Sequence, residues 1–212
     1  MSKVNISLCL EMLKLGIRNS WYIYSSGQPA HTYANVDIMM LGDDYSQEDI
    51  PQYKRIENVT EQLIIKIQEI DEEESFDRLA FIDKAGHGPV GMIALSSLLI
   101  YRLQKDALYL RPYRNTLRST TKGKRLRTNE KVLIISDVAT TGETILKAAR
   151  TLWDSGAIAR GVLVYFDQEL GAKENLKAQD IKLYSLVKRS DDTSLISDTK
   201  EVKELQEFGG VM

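Results

Sequence analysis

The chain has 212 residues, 43% of them hydrophobic and 27% charged, and its 28 basic and 30 acidic side chains give a formal net charge of −2. This is the composition of a folded chain with a real core; it excludes global disorder and argues against a general, charge-driven nucleic-acid binder. The longest apolar run, Val90 to Tyr101, is too short to cross a bilayer, and Lys3, Glu11 and Lys14 interrupt the apolar residues of Met1 to Ile17, so neither a membrane partner nor a signal peptide is expected. One cysteine, Cys9, cannot form an internal disulfide, which points to a cytoplasmic setting. By length, residues 1–212 are expected to form a single domain.

Val4, Leu8, Met12 and Leu15 recur at helical spacing and predict an amphipathic helix ending near Gly16, with Cys9 in the core. Trp21–Tyr24 and His31–Met39 read as short strands joined by a turn at Ser26-Gly27-Gln28-Pro29. Val59–Ile70 predicts a second helix, with Leu63, Ile64, Ile67 and Ile70 on its apolar side, and the acidic run Asp71–Glu74 an exposed loop after it. From Arg78 onward, short apolar runs alternate with helical stretches. Strands are expected over 79–82, 107–110, 132–135, 161–165 and 181–186, with helices over 90–103 and around 144–153 and 174–177. Apolar strands separated by helices imply an α/β fold with a central parallel sheet covered on both faces, and ligands in such folds bind at the carboxyl ends of the strands.

The stretch from Val132 to Ile145 is the most informative. An apolar strand ends in Ser136-Asp137, and a polar turn, Ala139-Thr140-Thr141-Gly142, opens the next helix at Glu143-Thr144. Free N–H groups at a helix start, threonine hydroxyls and a glycine make an anion site, and Asp137 is placed to accept hydrogen bonds from the vicinal hydroxyls of a sugar. A carboxylate beside a phosphate cradle suggests a ribose 5-phosphate ligand. The plainer reading is a βα turn capped by Thr140 or Thr141, with no ligand. The Gly-Lys-Ser/Thr ending of a Walker A loop is missing.

The order apolar strand, acid, hydroxyl-rich loop, Thr-Gly-x-Thr resembles the 5-phosphoribosyl-1-pyrophosphate (PRPP) signature of the type I phosphoribosyltransferases. Phe166-Asp167-Gln168-Glu169-Leu170-Gly171-Ala172-Lys173-Glu174-Asn175-Leu176 is similar to a segment of the orotate phosphoribosyltransferases within that family. The resemblance implies a parallel sheet flanked by helices, a small N-terminal hood over about residues 1–45 and a core over about 55–190. It implies that Ser136, Asp137, Ala139, Thr140, Thr141, Gly142, Glu143 and Thr144 bind PRPP. Lys84, Ala85, Gly86, His87 and Gly88 correspond to a pyrophosphate loop, and Ser25, Ser26, Gly27 and Tyr33 to the hood covering the base. Arg111 matches the arginine that opens the family's catalytic loop, with Arg114 and Arg118 beside it. Mg²⁺ arrives with PRPP, with Asp137 meeting it through ligand or water, and a homodimer is the expected assembly.

Three positions and one loop depart from the family pattern. Ser136 replaces the first acid, Gln168 an arginine and Ser25 a lysine, and the catalytic loop, here Arg111-Pro112-Tyr113-Arg114-Asn115-Thr116-Leu117-Arg118, lacks its lysines and histidine. The expected activity is PRPP-dependent transfer of a phosphoribosyl group to a nucleobase, orotate first among the pyrimidines and purines. The alternative is a catalytically impaired PRPP- or nucleotide-binding regulator acting through a protein or nucleic-acid partner. Residues 111–131 carry eight basic side chains and one acid, Glu130. The favoured reading of that stretch is a mobile flap that closes over pyrophosphate, ahead of a nucleic-acid contact or a solvated loop.

Overall fold

In the computed structural model, which describes residues 3–23, 29–42, 50–82, 90–111, 116–119 and 126–192, the first helix starts at a side-chain cap. The Asn5 side chain accepts from the Leu8 N–H at 3.1 Å and opens α1, Ile6–Gly16, which buries Cys9, Met12, Leu13 and Leu15. The chain passes directly into β1, Ile17–Ile23, paired antiparallel with β2, Pro29–Ala34. The strand expected over His31–Met39 therefore stops early. Asn35 intervenes, accepting from the Asp37 and Ile38 N–H groups at 2.9 and 3.3 Å, and Val36–Leu41 becomes a helix, α2. A good cap outweighs the β-branched residues that suggested a strand.

Helix α3 spans Gln52–Glu73, longer at both ends than the predicted stretch, and Asp71–Glu73 form its last turn rather than a loop. Acids there oppose the helix dipole. Two cations from elsewhere in the fold offset this: Lys105 lies 3.0 Å from Asp71 and Lys182 2.9 Å from Glu73.

The remainder is the expected α/β sheet. Strands β3 (Arg78–Ile82), β4 (Ala107–Arg111), β6 (Lys131–Ala139), β7 (Ile158–Asp167) and β8 (Lys182–Lys188) are parallel, in the spatial order β4-β3-β6-β7-β8. A further strand, β5 (Thr116–Ser119), lies antiparallel on the outer edge of β4. Helices α4 (Val90–Leu103), α5 (Glu143–Asp154) and α6 (Ala172–Lys177) complete the layers. The two-residue period of the strands divides the core. Leu133, Ile135 and Leu163 join the side chains of α1, α3 and α4 on one face, while Ile134, Val162 and Val164 pack with Ile145, Ala148 and Leu152 of α5 on the other. Because the five strands are parallel, Ile82, Arg111, Ala139, Asp167 and Lys188 all end at one edge of the sheet. That edge is where a ligand site is expected in this architecture.

Candidate active site

Strand β6 is buried along nearly its whole length, and Ser136 and Asp137 remain so at its end, 5% and 9% exposed. A carboxylate taken this far from water needs donors. Asp137 Oδ1 receives two, the Val138 N–H at 2.8 Å and the Ser136 hydroxyl at 3.2 Å.

The turn that follows is built on a glycine, not on a threonine cap. Gly142 occupies the N-cap position of α5 with φ +79°, and among the described residues no side chain caps the helix. Thr140 and Thr141 thus do not play the structural part that the plainer reading of the sequence gave them. The N–H groups of the first turn of α5 lack intrahelical acceptors by geometry, and the missing cap leaves them to another partner. The opposite side of the turn is well tied. The carbonyls of Ala139, Thr140 and Thr141 accept from the Gln168 N–H at 2.9 Å, the Ala172 N–H at 3.0 Å and the Asn175 side-chain amide at 2.9 Å. Glu143, in the first helical turn, is exposed and paired with Lys147 at 2.6 Å, and Thr144 is half-buried. The arrangement presents donors and a positive helix end to an anion, one buried carboxylate away from it.

Strand register adds residues that sequence reasoning did not place here. Ala139 pairs with Asp167, so the end of β7 lies beside the turn. Asp167 is buried and accepts from the Glu169 N–H at 2.9 Å; burial holds its carboxyl above the ordinary range, with that backbone bond acting against the shift. Gln168 is buried as well. Glu169 has φ +54°, and its carboxylate accepts from the Ser190 N–H at 2.7 Å and the Ser190 hydroxyl at 3.0 Å. The sequence held these residues in the segment after the strand, but only the pairing of β6 with β7 shows that they share an edge.

The other candidate residues are less fully placed. Lys84, Ala85, Gly86, His87 and Gly88 lie outside the described residues, although β3, which leads to them, is the neighbour of β6. Arg111 ends β4 opposite Thr116, and Arg118 stands on β5 opposite Tyr109. Part of the stretch expected as a mobile flap is therefore an edge strand, while Arg114 lies outside the described residues. Tyr109 packs, its ring centroid 5.9 Å from that of Phe81 and its hydroxyl hydrogen-bonded with Ser96. Tyr33 is on β2 opposite Arg18; Ser25, Ser26 and Gly27 are outside the described residues. Among the described residues, no group of three or more His, Cys, Asp or Glu side chains is placed to hold a metal ion, and no helix is long and apolar enough to cross a membrane.

No family model matches the chain. The orotate phosphoribosyltransferase of Pyrococcus abyssi is 32% identical over 113 residues, which cover 51% of this chain and 60% of that protein. Across the first four curated relatives, the matched stretch covers 36 to 60% of their length. The crystal structure of orotate phosphoribosyltransferase from Aeropyrum pernix superposes with a TM-score of 0.64 at 22% identity, covering 90% of this chain and 99% of that one. The Mycobacterium tuberculosis orotate phosphoribosyltransferase in complex with PRPP gives a TM-score of 0.58 at 17% identity, over 88% of this chain and 96% of that one. In sequence the chain is similar to orotate phosphoribosyltransferases, and its fold is the one that solved type I phosphoribosyltransferases share.

Proposed function

We propose that this protein transfers a phosphoribosyl group between PRPP and a nucleobase, orotate being the first acceptor to test, with release of pyrophosphate. The observation that carries the reading is the uncapped, glycine-started helix α5 directly after the buried carboxylate of Asp137. Helix end and carboxylate match the two ends of a ribose 5-phosphate. In this reading Thr140, Thr141, Gly142, Glu143 and Thr144 hold the 5′-phosphate through backbone N–H groups and hydroxyls, and Asp137 orients the ribose. The bond from C1 of the sugar to pyrophosphate breaks as a ring nitrogen of the base bonds to C1, with positive charge developing on the sugar.

Catalysis of this kind rests on positioning and on neutralising the departing pyrophosphate. Arg111, Arg114 and Arg118, with Lys84 to Gly88, are the proposed source of that charge, and the hood from Ser25 to Tyr33 covers the base. The described residues do not build a metal cage of their own. Mg²⁺ belongs to the substrate in this proposal, entering with PRPP and meeting the protein at Asp137. We place the protein in the cytoplasm as a homodimer.

The deciding experiment is pyrophosphate release from Mg²⁺–PRPP, with orotate leading a panel of pyrimidine and purine bases. Base-dependent release is the expected result. Silence with every base, from folded protein, would reject transfer as the function.

A further inference from the structure

At the amino edge of the sheet, opposite the candidate active site, a small cavity opens between the end of α3 and the early residues of β6, β7 and β8. Ile70, Phe76, Leu133 and Ile158 give it an apolar floor, and about 20 Å³ is left inside for the centres of water-sized molecules, room for one small polar group. Two irregularities of β7 shape it. Val132 pairs with Ala159 and Leu133 with Gly161, so Arg160 between them is a bulge, a device by which a strand re-aims a side chain. A Cβ on the adjacent Gly161 would stand 3.2 Å from both Leu133 Cδ1 and Tyr184 Cε2, so the tyrosine ring rests on bare backbone. The ring carbon beside the hydroxyl-bearing one makes the contact, while Cδ2 is 3.8 Å away, and the hydroxyl end therefore leans over β7 into the cavity. Tyr184 is 9% exposed, and its hydroxyl has no hydrogen-bond partner among the described residues. A buried hydroxyl left in this way calls for a partner from outside the chain.

The rim carries both signs of charge on facing walls. Lys131 and Arg160 stand on the sheet, while Glu74 ends α3, where the helix dipole adds to its negative charge. Nearby Lys105 and Lys182 are paired with Asp71 and Glu73, but Lys131, Arg160 and Glu74 form no ion pair among the described residues. We propose that this cavity binds a small zwitterion of the α-amino-acid type. Its carboxylate faces Arg160 and Lys131, its ammonium faces Glu74, and a side chain no longer than a hydroxymethyl group enters the cavity. A hydroxyl there supplies the partner that Tyr184 lacks, which makes serine the best match among short side chains. A simple anion would be repelled by Glu74, and a simple cation by Arg160 and Lys131. The proposal is independent of the reaction assigned to the opposite edge.

The test titrates the isotope-labelled full chain with L-serine, L-alanine, acetate and ethanolamine and follows the amide chemical shifts. L-serine is expected to move the amides of Leu133, Gly161 and Tyr184 saturably and to leave those of Thr140 to Glu143 in place. Acetate and ethanolamine, each with one of the two charges, bind about tenfold more weakly, the scale of one hydrogen bond to a charged group. Tyr184→Phe lowers serine affinity about threefold to tenfold, to that of alanine, as the loss of one neutral hydrogen bond requires. Should that variant fold poorly, the difference between serine and alanine on the parent protein reads the same bond. Arg160→Gln and Glu74→Gln, both at the rim, each weaken serine about tenfold with little change in melting temperature. Serine binding no better than alanine overturns the part given to Tyr184. Acetate or ethanolamine binding as tightly as serine overturns the zwitterion. The absence of saturable shifts at these amides, or shifts that survive both Arg160→Gln and Glu74→Gln, overturns the site.

Discussion

The side-chain amide of Asn175, on α6, donates to the carbonyl of Thr141 across 2.9 Å, so the turn before α5 is fastened from the side away from its free N–H groups. With the carbonyls held, the N–H groups are aimed without help from a ligand. Asn175→Ala is expected to weaken phosphate and PRPP binding about threefold to tenfold, in keeping with one hydrogen bond of roughly 1 kcal/mol, with little change in melting temperature. Titration calorimetry checks it; full affinity in the variant would show that the turn keeps its shape without this bond.

Gly142 is the second point of control. Its φ of +79° disfavours any side chain, and an added Cβ would meet Leu176 Cγ at 3.3 Å and the Ala172 Cα at 3.4 Å. Gly142→Ala is expected to destabilise the fold by about 1–2 kcal/mol through backbone strain. For a chain of this size that lowers the melting temperature by roughly 2–8 °C. A loss of PRPP affinity should accompany it, since the turn must shift to relieve the contact. Calorimetry and ligand titration on the same sample separate the two effects.

Far from this edge, Arg78 and Glu130 form a buried ion pair at 2.8 Å. Arg78 Nε and Nη1 have no hydrogen-bond partner among the described residues. Glu130→Ala would leave that guanidinium charge buried and uncompensated, at a cost of about 3–5 kcal/mol. Replacing both residues by Met should recover most of the loss. Denaturant unfolding of the single and double variants measures the difference; equal destabilisation of the two would show that packing, not charge, dominates here.

Asp167 makes a prediction in pH. Its carboxyl is held above the ordinary range by burial, so the folded state binds that proton more tightly than the unfolded chain does. The contribution to stability is greatest below the unfolded carboxylate value and is lost as pH rises through the folded one. Asp167→Asn, which can still accept from the Glu169 N–H, should therefore be more stable than the parent at neutral pH. The advantage should shrink as pH falls through the raised folded value and be gone below about 4, where a free aspartate is itself protonated. Melting curves across that range test the sign; a variant less stable at neutral pH would mean that the charged form is the one the fold favours.

The sheet and α5 were legible in the sequence because apolar runs, polar turns and helical spacing agree there. Other elements were hidden for particular reasons. Val36–Leu41 reads as strand until the Asn35 cap is seen to act. The ends of α3 are charged, and only Lys105 and Lys182, distant in sequence, show why the acidic turn stays helical. β5 is four residues of mixed polarity inside a basic stretch, and its partner β4 gives it order. At the candidate site, residue types revealed the β6–α5 turn, but a left-handed glycine at the N-cap cannot be told from a threonine cap by composition. The place of Asp167 follows from register, which emerges only when β7 pairs with β6.

The chain leaves α1 at Gly16 and returns at Asn35, whose N–H donates to the Gly16 carbonyl at 2.9 Å. An added Cβ on Gly16 would stand 2.5 Å from the Asn35 carbonyl oxygen, so this crossing admits little else. Between these two points the described residues are β1 and β2, paired antiparallel from Ile17–Ala34 outward to Ile23–Pro29. Two strands that leave and rejoin the helices at one backbone hydrogen bond tie the α1–α2 corner shut, so the geometry of that corner depends on a residue without a side chain at position 16.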